Sequence, residues 1–103
     1  MDVTKYNREA WNREVDKGNP WTQPVGPDVI AAARRGEWSV LLTPTVKVPH
    51  EWFLPMSGCR ILCLASGGGQ QAPIFAAAGA QVTTLDNSPR QLEQDQLVAQ
   101  REG

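Results

Sequence analysis

Between residues 61 and 86 the chain reads ILCLASGGGQQAPIFAAAGAQVTTLD, and this segment limits the fold more than any other. An apolar run (Ile61, Leu62, Cys63, Leu64) stops at three consecutive glycines, Gly67, Gly68 and Gly69. An almost wholly apolar stretch from Ala72 to Ala78 follows, within a helix read over 70–78 and closed by Gly79. A second strand-like run, Val82 to Leu85, ends on Asp86. Strand, glycine turn, helix and strand in this order predict an α/β unit with two parallel strands and a crossover helix. The first strand, over 59–65, is apolar on both faces, so helices are expected to cover it on each side.

The 103 residues suffice for one small domain. With 10 basic and 11 acidic residues the net charge is −1, which gives no long-range attraction for nucleic acid or an anionic membrane, and neither is expected as a partner. No apolar run reaches the ~18 residues of a membrane span. The polar start, MDVTKYNREAW, lacks the apolar core of a secretion signal, so a cytoplasmic protein is expected. Cys59 and Cys63 would share one face of a strand, too far apart along it for an easy disulfide, and read as reduced core thiols. No zinc site is expected, because His50 stands alone. His50, beside Pro49, reads as a loop residue, with a role as a base the alternative.

The N-terminal 54 residues read as a helical, Trp/Pro-rich cap: a helix over 4–17 opened by Thr4 and closed by Gly18, a Pro/Gly loop, and a short helix over 28–35. The prolines from Pro44 to Pro55 predict an irregular, partly extended connection. Trp11, Trp21, Trp38 and Trp52 all precede the glycine turn and either pack the cap onto the sheet or wall a pocket. Residues 55–103 form the α/β part. Its last helix carries Ser88 as cap, Pro89 at the first position and Gln91 three residues after the cap, the spacing of a capping box. Leu92, Leu97 and Val98 are expected to face the sheet.

Glycine permits positive φ and removes the Cβ that would hold a ligand off the main chain. Three in a row cost roughly 0.5–1 kcal/mol each against alanine, and a plain turn needs one at most, so a ligand passing close to the backbone is expected. The N-terminus of the following helix would favour a carboxylate or phosphate. An acid at the end of the next strand, as Asp86 is, can accept hydrogen bonds from a ribose diol, or it can simply favour the opening of the helix behind it.

Two nucleotide patterns compete. Gly67-Gly68-Gly69-Gln70-Gln71-Ala72 fits the loose dinucleotide pattern G-x-G-x-x-A. Ala65-Ser66-Gly67-Gly68-Gly69 resembles the G-x-G-x-G loop of class I S-adenosylmethionine-dependent methyltransferases, with alanine for the first glycine, and LDNSPRQLEQD resembles that family's second motif. The resemblance covers residues 55–103 closely and the first 54 only in layout. It implies the N-terminal part of a Rossmann-like fold, with S-adenosylmethionine as cofactor and a small molecule as methyl acceptor. It also implies that Ala65, Ser66, Gly67, Gly68 and Gly69 line the methionine part, that Asp86 binds the ribose and that Asn87 or Ser88 borders the adenine. Tyr6, Asn7, Trp11 and Asn12 would be the candidates to fold over the methionine end. The family's acid two places before the first glycine is here Cys63, so the cofactor's amino group would need another anchor.

The family's sheet has more strands than this chain supplies, so the resemblance implies an incomplete sheet, a truncated enzyme inactive alone, no identifiable catalytic base and exposed edges through which homo-oligomers could form. Two other readings stay open: a fragment of an NAD(P)- or FAD-binding oxidoreductase, and a non-catalytic interaction module docking through its tryptophans.

Overall fold

The structure, a computed structural model, describes residues 2–103. Among these residues there are four α-helices, α1 (Val3–Lys17), α2 (Pro27–Arg34), α3 (Ala72–Ala77) and α4 (Pro89–Glu102). There are also four strands, β1 (Leu41–Thr43), β2 (Val46–Lys47), β3 (Arg60–Leu64) and β4 (Gln81–Leu85). Short 3₁₀ turns occupy Pro20–Thr22 and His50–Trp52.

Asp2, not Thr4, caps α1: its carboxylate accepts the Lys5 amide at 3.1 Å, and the helix starts at Val3. Aspartate and threonine are both good caps, and the one placed to reach a first-turn amide decides the start. The proline-rich connection is more regular than expected. β1 and β2 pair antiparallel, Leu41 opposite Lys47 and Thr43 opposite Val46. The hairpin tolerates its prolines because Pro44 lies in the turn and Pro49 beyond β2, so neither leaves a gap in the ladder.

β3 and β4 pair in parallel, in register from Arg60–Gln81 to Leu64–Leu85, with α3 as the crossover. The expected strand–helix–strand unit therefore forms, and the molecule is a mixed α/β protein with small sheets. One expectation is overturned. The inner face of the β3–β4 sheet (Ile61, Cys63, Val82, Thr84) meets the helices, but Leu62, Leu64 and Leu85 on the other face are 56%, 65% and 57% exposed. The strand is apolar on both faces, yet among the described residues only one face is covered.

The core joins Ala33 of α2, Val40, Met56, Cys63, Ala72, Ile74 and Phe75, with Trp38, Phe53, Ile61 and Val82 packed against it. Trp38, Phe53 and Phe75 form an aromatic cluster with centroids 5.3–5.9 Å apart, the edge-to-face spacing such rings prefer. His50 stacks on Trp38 with centroids 4.0 Å apart, and its Nε2 contacts the Trp38 carbonyl oxygen, a packing role for the one histidine. Cys59 and Cys63 are unpaired; burial, and secondarily the charge of Asp95, push the Cys63 thiol up.

α1 lies against the start of α4 and is held there by polar contacts. Arg8 Nε donates to the Asn87 carbonyl and side-chain oxygens at 3.1 Å. Asn87 Nδ2 donates to the Thr4 carbonyl at 2.7 Å, Ser88 Oγ donates to Asn12 Oδ1, and Arg90 pairs with Asp16 at 2.8 Å. Phe75→Ala is expected to cost about 3–5 kcal/mol in denaturant unfolding. Leu62→Ala, on the bare face, should stay within about 0.5 kcal/mol; a comparable loss at both positions would mean that the two faces are equally packed.

Candidate functional site

The carboxyl ends of two parallel strands and the helix N-termini that follow them converge on one cavity of about 420 Å³. Ala65, Ser66, Gly67, Gln70 and Gln71 contribute from the turn after β3, and Asp86, Asn87 and Gln91 from the end of β4 and the start of α4. Asn7 and Trp11 of α1 and Trp21 close it from above. The topology places it there, because β3 and β4 run in register and so end side by side.

Ala65 turns the chain with a φ of 53°, the left-handed region that side chains other than glycine avoid. The resemblance puts glycine at this position, and the backbone shape is the one glycine would take freely. The Ala65 amide donates to the Leu85 carbonyl at 2.7 Å, extending the parallel ladder by one bond. The three glycines that follow are each held by a group at the end of β4 or on α4. Gly67 N–H donates to Asp86 Oδ2 at 2.9 Å, Gly68 N–H to the Gln91 carbonyl at 2.8 Å and Gly69 N–H to Asp95 Oδ1 at 2.7 Å.

Packing supplies a reason of its own for glycine at two of these positions. A Cβ on Gly67 would lie 2.7 Å from Gln91 Cβ and 2.9 Å from Asp86 Oδ2. A Cβ on Gly69 would lie 2.7 Å from Pro24 Cβ and 2.9 Å from the Gln94 carbonyl, on a backbone with φ 75°. The close approach that excludes side chains here is made by the protein's own helix and loop.

Of the eight residues singled out for a cofactor, Ala65, Ser66, Gly67, Asp86 and Asn87 line the cavity, and Gly68, Gly69 and Ser88 do not. Asp86 Oδ1 accepts the Ser88 amide at 2.8 Å, so each carboxylate oxygen has one protein donor. A carboxylate offers about four lone-pair sites, so acceptor capacity remains for a ligand. The amide of Asn87 is committed to α1. Ser88 is buried; its Oγ accepts the Gln91 amide at 3.3 Å and caps α4. The capping box is only half made, because Asp86 takes the Ser88 amide that Gln91 was expected to hold. Of the α1 candidates, Asn7 and Trp11 reach the cavity, while Tyr6 is exposed and Asn12 bonds to Ser88. Trp38 belongs to the core, Trp52 is exposed, and Trp11 and Trp21 wall the cavity. Cys63 is buried under the sheet and lines none of it.

Sequence reasoning missed Trp21 as a wall specifically, Gln70 and Gln71, and the inward face of α4. That face runs Gln91, Asp95, Val98, the helical spacing of four and three residues, and Leu97 points outward instead of toward the sheet. Helical periodicity could have grouped Gln91 with Asp95, but polar residues on an inward face read as solvent-facing unless the backbone they meet is known. Asp95 Oδ2 is buried without a hydrogen-bond partner. Burial is the main reason the Asp95 carboxyl is pushed up from its ordinary value; the Gly69 amide and the nearby Thr84 hydroxyl oppose the shift, and the charge of Asp86 adds to it.

No protein-family model matches the chain. Over 101 residues, 98% of its length, the chain is 52% identical to a protein of Bacillus subtilis (strain 168) named uncharacterized methyltransferase YbaJ. The chain therefore corresponds to one part of a longer protein that carries a methyltransferase name. It spans 40% of that relative's length. The resemblance carried by the glycine turn and the LDNSPRQLEQD segment thus meets a likeness to this relative that runs through nearly the whole chain, its tryptophan-rich half included. Among the described residues no helix is long and apolar enough to cross a membrane, and no cluster of His, Cys, Asp and Glu could hold a metal ion.

Two outcomes follow from the turn. Ala65→Gly relieves a left-handed strain of about 1–2 kcal/mol against an entropic cost of about 0.5–1 kcal/mol, so the variant should gain about 0.5–1 kcal/mol in a thermal melt. Asp95 binds its proton more readily folded than unfolded, so stability falls as pH rises from the unfolded value near 3.8 through the raised folded one. This slope should shrink in Asp95→Asn when unfolding is followed at a series of pH values.

Proposed function

We propose that the chain is the cofactor-binding segment of an S-adenosylmethionine-dependent methyltransferase with a Rossmann-like fold, acting on a small-molecule acceptor. The observation that carries this reading is the pairing of Asp86 with the glycine turn across adjacent parallel strand ends, both lining one cavity. The relative's name supports methyl transfer as the reaction class. Neither an oxidoreductase nor a non-catalytic module gains support from it.

The residues present fit the cofactor. Asp86 keeps acceptor capacity toward the cavity, which suits a ribose diol. Trp11 and Trp21 offer flat apolar faces, which suit a purine or the positive charge of a sulfonium. Asn7, Gln70 and Gln71 are polar side chains in the lining and stand where Cys63 cannot, as partners for an amino group. Gln70 Nε2 already donates to the Pro20 and Gln23 carbonyls, which leaves its oxygen as the available acceptor. When bound, the cofactor supplies a methyl group on a sulfonium, open to in-line attack. The contribution of this chain is to bind, orient and shield: Asp86 fixes the sugar, the turn fixes the direction of approach, and the tryptophans exclude water.

Calorimetry on this chain with S-adenosylhomocysteine and with NADH tests the reading. S-adenosylhomocysteine should bind and NADH should not, and Asp86→Asn should weaken binding about tenfold or more, the size of one lost charged hydrogen bond. Equal binding of NADH, or an unchanged affinity in Asp86→Asn, would overturn it.

A further inference from the structure

We propose that Asp95 is a positioning residue: its carboxylate, reaching up from α4, holds the Gly69 amide and so sets the shape of the turn that frames the cofactor cavity. This rests on the cofactor reading above.

Asp95 does not line that cavity. It faces a separate cavity of about 410 Å³ among α2, α3, β4 and α4, so it acts through the turn and not on a ligand directly. The three glycine amides are anchored in sequence, and the anchors differ in kind. Gly68 is held by the main chain of α4, which any residue at 91 would supply. Gly67 is held by Asp86, which itself faces the ligand. Gly69 alone is held by a side chain from the interior of a helix, at 2.7 Å.

That anchor is a costly one. Asp95 Oδ2 is buried with no partner, so the carboxylate gives up solvation on one oxygen while bonding with the other. A neutral side chain would cap an amide without that cost; what the carboxylate adds is a charge-assisted bond, roughly twice as strong. The position needs it, because Gly69 sits at φ 75° pressed between Pro24 and the Gln94 carbonyl, and a turn that drifted would collide with one or the other. The groups facing Asp95 are Asp86 and Cys63, with Thr84 beside it and Arg34 and Glu102 on the wall of the same cavity. Arg34 is turned to the Glu102 carbonyl at 2.9 Å. Burial first, and Asp86 after it, keep the proton on Asp95 to higher pH than on an ordinary aspartate, so on acidification the anchor weakens before ordinary aspartates are protonated.

The test reads the Gly69 amide by NMR on this chain without ligand, and S-adenosylhomocysteine affinity by calorimetry, both across a pH series from neutral into acid, with Asp95→Asn separating Asp95 from the other carboxyls that titrate there. In the wild type the Gly69 amide should shift with pH, and affinity should fall about threefold in acid over the same range, as a charge-assisted bond becomes a neutral one. In Asp95→Asn the amide shift should be gone and the affinity flat, while affinity at neutral pH stays within about threefold, since the Asn oxygen still accepts. Asp95→Ala should bind about tenfold more weakly. A Gly69 shift that persists in Asp95→Asn, or an affinity profile unchanged by that substitution, overturns the proposal; Asp95→Asn keeps the test open if the alanine variant fails to fold. Absence of binding at every pH overturns the cofactor reading alone; the anchor stands or falls on the Gly69 amide, which is read without ligand.

Discussion

The contact between the glycine turn and the first two turns of α4 is the constraint on which the rest of the structure depends. Bare backbone meets helix there at distances that no side chain could share, with would-be Cβ contacts of 2.7–2.9 Å at Gly67 and Gly69. Three amides are satisfied at the same surface, by Asp86, the Gln91 carbonyl and Asp95. Loosening it would free the end of β3 from the start of α4, and the cavity between them would lose its floor.

The same contact explains why Asp86 has two duties. It is at once part of the scaffold, tying Gly67 to Ser88, and the group with spare acceptor capacity toward the cavity. A carboxylate locked by two main-chain donors is already oriented, so a ligand would not have to order it on binding, which lowers the entropic cost of recognition. The tryptophans divide in a similar way. Trp38 serves the core through Phe53 and Phe75, and Trp11 and Trp21, each half-exposed, close the cavity.

The sheet is asymmetric for a reason visible in its side chains. Helices bury Cys63, cover Ile61, Val82 and Thr84 in part, and leave Leu62, Leu64 and Leu85 in water. An apolar pattern on both faces states only that both could be buried. It does not say which elements are at hand to bury them.

Local residue order by itself determined the strand–turn–helix–strand unit, the helix stops at Gly18 and Gly79, the Ser88 cap and the place of Asp86 at a strand end, because each depends on neighbours within a few positions. It also carried the family resemblance, through the glycine turn and the LDNSPRQLEQD segment. Only the tertiary structure decided what crowds the glycines, which tryptophans reach the cavity and why Gln91 and Asp95 face inward. Those answers depend on groups such as Pro24, Trp21 and Gln94 that sequence distance separates and packing brings together. The hairpin at 41–47 and the half-made capping box fall on the same side of that line, since a ladder partner or a competing carboxylate is invisible until the chain has folded back on itself.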